Sequence, residues 1–175
     1  VRGVPLRPAD RRQGSPTAHL RHATRQARLA LEGPTAPRPL YGLDRLAARP
    51  DAPVLVVEGE KAADAAAALF PEHVAVTWQG GARAVRLSEW TALAGRAVAV
   101  WPDNDAAGRD AAAEVAKAAS ALGAAFVAVV EVPQDWPDGW DVADPPPEGT
   151  APDVLRAMLA AAERKAEQAT ALPAG

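Results

Sequence analysis

Four short apolar runs recur along the chain at regular intervals, and alanine-rich stretches separate them. The runs are Val54–Val57, Val74–Trp78, Ala97–Trp101 and Phe126–Val130. A continuous apolar run of this length is typical of a strand that is buried on both faces of a parallel sheet. The pattern therefore predicts four buried strands.

The stretches between the runs predict helices, which gives a strand-helix alternation. They are Glu60–Phe70, a short one around Ser88–Leu93, and Ala106–Leu122, which ends at a Gly suited to a left-handed C-cap. Right-handed crossovers of this kind give an α/β fold: an open, mainly parallel four-stranded sheet with helices on both faces. Ligands of such sheets bind beyond the carboxyl ends of the strands, so the chemistry is expected there.

The flanks of the alternating region have a different composition. Residues 1–37 form an Arg/Pro-rich arm or the remnant of an upstream domain, with one possible helix at Thr17–Leu31. The folded domain is predicted over 38–144. Residues 145–175 comprise a Pro-rich break and a final helix, about Pro152–Gln168, that either packs on the sheet or faces a missing neighbour. Because the first residue is Val and not Met, we expect a segment of a larger protein, with a processed chain as the alternative.

The amino-acid composition limits which residues can form the core, which ligands can bind a metal and whether the chain can cross a membrane. Aromatic residues are only 5% of the chain, so Val, Leu and Ala should fill the core, with Trp78, Trp101, Trp136 and Trp140 packing against the fold. The chain has no Cys and three His, which excludes thiolate sites and leaves oxygen ligands for any metal. No apolar run approaches the ~20 residues of a membrane span, so we expect a cytoplasmic protein without membrane contact.

The net charge of −3 is unusual for a nucleic-acid binder, but the charge is unevenly distributed. Arginines are concentrated between Arg2 and Arg49, where acids are few. This basic stretch is either an element that contacts a phosphate backbone or a solvated segment.

Acidic side chains follow two of the predicted strands. The first run ends in Glu58-Gly59-Glu60-Lys61, and the third ends in Pro102-Asp103-Asn104-Asp105. In an extended tip alternate side chains face the same way, so Asp103 and Asp105 can reach one ion. Carboxylates gathered at one sheet edge repel one another unless a cation such as Mg²⁺ or Mn²⁺ is present. Taken alone, an Asp-x-Asp is also a common turn and helix cap.

Further residues at the same edge are candidates for phosphate binding. Gly80 and Gly81 follow the second run, where the backbone can approach a phosphate, although a plain loop is the alternative. Lys61, Arg83 and Arg109 could contact phosphates or remain solvated, and Arg109 lies near the start of a helix, where backbone N–H groups favour anions.

Two segments contain the acids that follow the first and third runs: Val56-Val57-Glu58-Gly59-Glu60-Lys61 and Trp101-Pro102-Asp103-Asn104-Asp105-Ala106-Ala107-Gly108-Arg109. Together they resemble the Toprim signature, most closely that of phage and plasmid primases and primase-helicases. The resemblance covers about 38–144. It implies that Glu58 is the catalytic general acid or base and a metal-associated residue, and that Asp103 and Asp105 bind metal. A later element, Gly139–Asp144, implies Asp141 as a further metal-associated carboxylate, with Asp135, Asp138 and Asp144 as competitors.

The resemblance implies a DNA primase-type nucleotidyltransferase that uses Mg²⁺ or Mn²⁺ to make RNA primers in the replication of a phage, plasmid or mobile element. Its partners would be single-stranded DNA template, nucleoside triphosphates and a replicative helicase in cis or in trans. The chain departs from the family pattern upstream, where primases carry a basic subdomain and a zinc module, so an isolated fragment could lack activity. The alternatives are a Toprim nuclease that cleaves phosphodiesters and a non-catalytic nucleic-acid-binding Toprim module.

Overall fold

The computed structural model describes residues 35–151 and 153–171. The Arg-rich arm before residue 35, including the helix predicted at Thr17–Leu31, lies outside the described residues, as does Pro152. The described part contains one sheet, flanking helices and a long loop after the last strand.

The sheet has four strands, all parallel, in the order β2-β1-β3-β4. The strands are β1 (Val54–Val57), β2 (Val74–Val76), β3 (Ala97–Trp101) and β4 (Phe126–Val129). The predicted α/β class with a four-stranded parallel sheet is confirmed. In the central pair, Val57 of β1 is level with Trp101 of β3. The carboxyl ends of β1 and β3 therefore lie side by side at one edge of the sheet.

Within residues 35–151 and 153–171, four α-helices and two short 3₁₀ helices accompany the sheet. The α-helices are α1 (Leu43–Ala48), α2 (Glu60–Leu69), α3 (Ala106–Ala121) and α4 (Val154–Ala171), and the 3₁₀ helices are Ala82–Leu87 and Thr91–Leu93. The short helix predicted around Ser88–Leu93 is reduced to its last three residues. Ser88 is extended because the backbone around it pairs with Arg38: Arg38 N–H donates to Leu87 O at 2.7 Å, and Glu89 N–H donates to Arg38 O at 2.8 Å.

Successive side chains of the strands belong alternately to two apolar layers, one on each face of the sheet. Val56 and Val100 belong to the layer that contains α3 and the 3₁₀ region, whereas Val57 and Trp101 belong to the layer that contains α2 and α4. Helices therefore cover both faces, as the unbroken apolar runs predict. Trp78, Trp101, Trp136 and Trp140 are all buried, which confirms the packing role expected for them.

Helix α4 packs on the sheet. The sequence had left open whether this helix packs there or faces a missing neighbour. Leu155 and Leu159 are buried in the same layer as Trp101, and His73 Nε2 lies 2.7 Å from Glu163 Oε1 on the helix. The Pro-rich segment before α4 thus connects parts of one compact body that begins at Ala36. Within the described ranges no helix combines the length and hydropathy needed to cross a bilayer.

The buried face of α4 should contribute measurably to stability. Leu159 is 2% exposed, and Leu159→Ala should lower the free energy of unfolding by about 2–4 kcal/mol, because it removes buried methyl groups and leaves a cavity. Leu87→Ala, at a side chain that is 41% exposed, should cost less than about 1 kcal/mol. Urea unfolding measures both changes, and equal losses would contradict the packing of α4.

Candidate functional site

The tip of β1 places Glu58 beside the loop that follows β2. The N–H of Gly59 donates to Oγ1 of the buried Thr77 at 2.9 Å, which fixes the end of β1 to the end of β2. A Cβ at Gly81 would lie 3.8 Å from Oε1 of Glu58. The partly buried Glu58 side chain therefore faces the glycine loop rather than open solvent.

The tip of β3 folds back on the start of α3. Asp105 caps this helix: its Oδ1 accepts a hydrogen bond from Gly108 N–H at 2.6 Å, while its own N–H donates to Asp103 O at 2.8 Å. A Cβ at Gly108 would lie 2.5 Å from the carbonyl oxygen of Asp103. Position 108 must therefore be glycine for the two aspartates to keep this geometry. The capping role weighed for Asp105 is real, and its Oδ2 has no hydrogen-bond partner among the described residues.

A third segment, the loop after β4, brings two further acids to this edge. Asp141 and Asp144 form a reciprocal turn, in which Ala143 N–H donates to Asp141 Oδ1 at 2.6 Å and Asp141 N–H donates to Asp144 Oδ2 at 3.2 Å. The turn is anchored to the β3 tip, because the N–H of Asn104 donates to Trp140 O at 2.9 Å. Asp141 is therefore held next to the Asp103–Asp105 tip.

The charges of these acids contribute to the raised pKa values of Asp103 and Glu58. The pKa of Asp103 is raised from 3.8 to about 7, first by burial and then by the negative charges of four neighbouring carboxylates. Burial also raises the pKa of Glu58, the backbone N–H of Ala82 offsets part of the rise, and the charge of Asp105 adds to it. We call these five residues the acidic cluster: Glu58, Asp103, Asp105, Asp141 and Asp144.

The cluster is not a formed coordination shell in this conformation. In the described part of the chain, no three Asp, Glu or His side chains are placed to hold one metal ion together. Asp105 and Asp141 each use one carboxylate oxygen to accept a hydrogen bond from a backbone N–H. The donor chemistry nevertheless fits a hard divalent cation, because every member offers carboxylate oxygen and the side-chain carboxylate of Asp103 accepts no hydrogen bond from any described residue.

The predicted phosphate-binding side chains surround the cluster unevenly. Lys61 is well exposed, and its Nζ lies 3.6 Å from Oδ1 of Asp144. Arg109 is exposed and lines, with Asp103 and Asn104, a cleft of about 600 Å³ between α3 and the segment that follows β4. Arg83 is exposed, and no described residue joins it to the acids.

Gly80 and Gly81 form the tight loop beside Glu58. Both have positive φ, +101° and +73°, and a Cβ at Gly80 would lie 2.9 Å from the Cβ of Ala84. Turn geometry therefore already requires glycine here. Their predicted phosphate contact stays a prediction.

Two residues gain importance that the sequence patterns did not give them. Asp144 was only a competitor of Asp141, yet it contributes to the raised pKa of Asp103. Asn104 lies between the two aspartates and is 5% exposed, with its side-chain amide directed into the loop after β4. The one signal in the sequence for the role of Asn104 is that a polar residue stands at the centre of the Asp-x-Asp tip. In an exposed tip this side chain would lie in solvent.

Comparison with known proteins gives a family without an assigned activity. A family model described as a domain of unknown function (DUF6371) matches residues 10–104, and the chain belongs to this family. No curated protein and no solved structure matches the chain.

Stability should fall with rising pH because of Asp103. Between about pH 4 and pH 7 the unfolded chain has released this proton while the folded chain retains it, so each step upward in pH favours unfolding. In metal-free buffer, Asp103→Asn should lose less melting temperature than the wild type over this range. Parallel pH profiles for the two proteins would show that the pKa of Asp103 is not raised.

Proposed function

We propose that this member of the DUF6371 family is a metal-dependent nucleotidyltransferase of the DNA primase type, with a Toprim-like domain that acts on nucleic-acid phosphates. The proposal rests on the acidic cluster. Carboxylates from β1, from β3 and from the loop after β4 meet at the carboxyl edge of adjacent parallel strands, where ligands of open α/β sheets bind.

The charge of the cluster supports a cation as its natural partner. Four carboxylates together with burial raise the pKa of Asp103 to about 7, which means that the folded chain holds these groups at a cost in free energy. Glu58, Asp103, Asp105 and Asp141 would hold Mg²⁺ or Mn²⁺. When bound, such an ion neutralises the charge of the transferring phosphate and orients it.

Other roles in the proposed reaction, handling of a proton and binding of phosphates, fall to side chains of this chain. Glu58, whose pKa burial raises, is suited to accept at its carboxylate the proton that a primer 3′-hydroxyl loses as it attacks the α-phosphate of a nucleoside triphosphate and pyrophosphate leaves. The exposed Lys61, Arg83 and Arg109 supply positive charge around the acids for the phosphates of nucleoside triphosphates and of a single-stranded DNA template. We place this activity in cytoplasmic DNA replication, together with a replicative helicase in cis or in trans.

Metal titration tests the site itself. Mg²⁺ or Mn²⁺ should raise the melting temperature of the wild type, because an ion that binds the folded chain stabilises it in proportion to its occupancy. Asp103→Asn combined with Asp105→Asn should abolish this increment. The matched control removes the same charge from the loop after β4 with Asp135→Asn and Asp138→Asn, two exposed residues, and should keep the increment. Stabilisation that survives the first double variant would contradict the assignment.

Turnover tests the reaction. With single-stranded DNA, nucleoside triphosphates and Mn²⁺, Glu58→Gln should reduce primer synthesis by about 10²–10⁴-fold, the usual contribution of a general acid or base. Glu60→Gln, at an exposed residue two positions further on, should keep the wild-type rate. Cleavage of DNA without triphosphates would favour the nuclease, and DNA binding with no turnover in any protein would favour the binding module.

A further inference from the structure

We infer that Asn104 is a positioning residue that fixes the distance between two parts of the acidic cluster, Asp103 and Asp105 at the β3 tip and Asp141 and Asp144 on the loop after β4. The inference deepens the proposed function, because it assigns a residue that sets how the carboxylates can share a cation. The argument starts from the contacts of a single side chain.

The side-chain N–H₂ group of Asn104 donates to carbonyls of the loop after β4. Its Nδ2 lies 2.9 Å from Trp136 O, 3.1 Å from Pro137 O and 3.3 Å from Pro133 O. The side chain of Asn104 is 5% exposed; its hydrogen bond to Trp136 O is buried, and those to Pro137 O and Pro133 O are partly buried. One amide therefore ties two successive turns of the loop, 133–136 and 137–140, to the β3 tip.

The backbone of Asn104 adds a second attachment. Its N–H donates to Trp140 O at 2.9 Å, and its carbonyl accepts a hydrogen bond from Gly139 N–H at 3.1 Å. Asp141 is the next residue along the chain after Trp140, and Asp103 and Asp105 flank Asn104. This pairing consequently fixes the register of Asp141 against both aspartates of the tip.

The chemistry of the side chain at position 104 is specific. Only a donor satisfies three carbonyl oxygens, and a carboxylate of the same shape would set negative oxygens against them. Two opposite expectations follow for Asn104→Asp. If position 104 were a potential ligand, a third aspartate in the tip would tighten cation binding, whereas a positioning role predicts that the loop detaches and binding weakens.

The experiment measures Mn²⁺ affinity by electron paramagnetic resonance of the free ion, and amide hydrogen exchange of the segment 133–144. Asn104→Asp should bind Mn²⁺ about tenfold or more weakly, the usual effect of losing a residue that orients metal ligands. Exchange in 133–144 should become faster. Gln134→Glu adds the same charge to an exposed position on the loop and should leave both readings close to wild type.

Two further variants separate positioning from general stability. Asn104→Ser removes the amide without adding charge, so it should shift both readings in the same direction and serves if Asn104→Asp does not fold. Leu93→Ala destabilises the domain from the opposite apolar layer, which contains no residue of the loop after β4, and should bind Mn²⁺ normally.

The outcomes distinguish this inference from the proposed function. Wild-type or tighter Mn²⁺ binding by Asn104→Asp, or unchanged exchange in 133–144, overturns the positioning role. If the wild type itself binds no Mn²⁺, the proposed function fails. In that case the exchange data still decide whether Asn104 holds the acid-bearing loop.

Discussion

Mutual repulsion among carboxylates at one edge of the sheet is the constraint on which the rest of the site depends. A half-buried Asp103 faces four other acids, and its pKa is raised to about 7 as a result. Such an arrangement opposes folding unless something else holds it together. Here the parallel pairing of β1 with β3, the cap of α3 and the contacts of Asn104 supply that support.

Each support acts on a different part of the cluster. The β1–β3 register brings the Glu58 strand end level with the start of the Asp103 tip. The absence of a side chain at Gly108 lets the tip fold back on α3. The loop after β4 is held at its other end by Trp140, whose Nε1 donates to Pro145 O at 3.0 Å and whose ring packs near Trp101. Backbone geometry and packing thus hold the acids in place against their mutual repulsion.

Much of the fold and part of the site could be predicted from the sequence. Runs such as Val54–Val57 identify strands because burial on both faces leaves no polar position, and the order of strands and helices then gives a parallel sheet. Glu58 and Asp103 were expected to share an edge because Glu58 directly follows one strand and Asp103 follows another after a single proline. These conclusions needed only local pattern and the rules of parallel topology.

The remaining features depend on contacts between distant residues, which a local pattern does not encode. Ser88 is extended because of Arg38, fifty positions earlier in the chain. Asp144 joins the cluster through the loop after β4, whose Pro133 and Pro137 carbonyls accept hydrogen bonds from the amide of Asn104. The packing of α4 was also undecided, since an apolar stripe such as Leu155 and Leu159 fits either this sheet or another partner.

The most direct measurement of the central claim is the titration of the carboxyl carbon of Asp103 by NMR, with and without Mg²⁺. A pKa near 7 in the metal-free protein, which falls when Mg²⁺ is added, is the predicted result. An ordinary pKa near 3.8 that Mg²⁺ leaves unchanged would contradict the account.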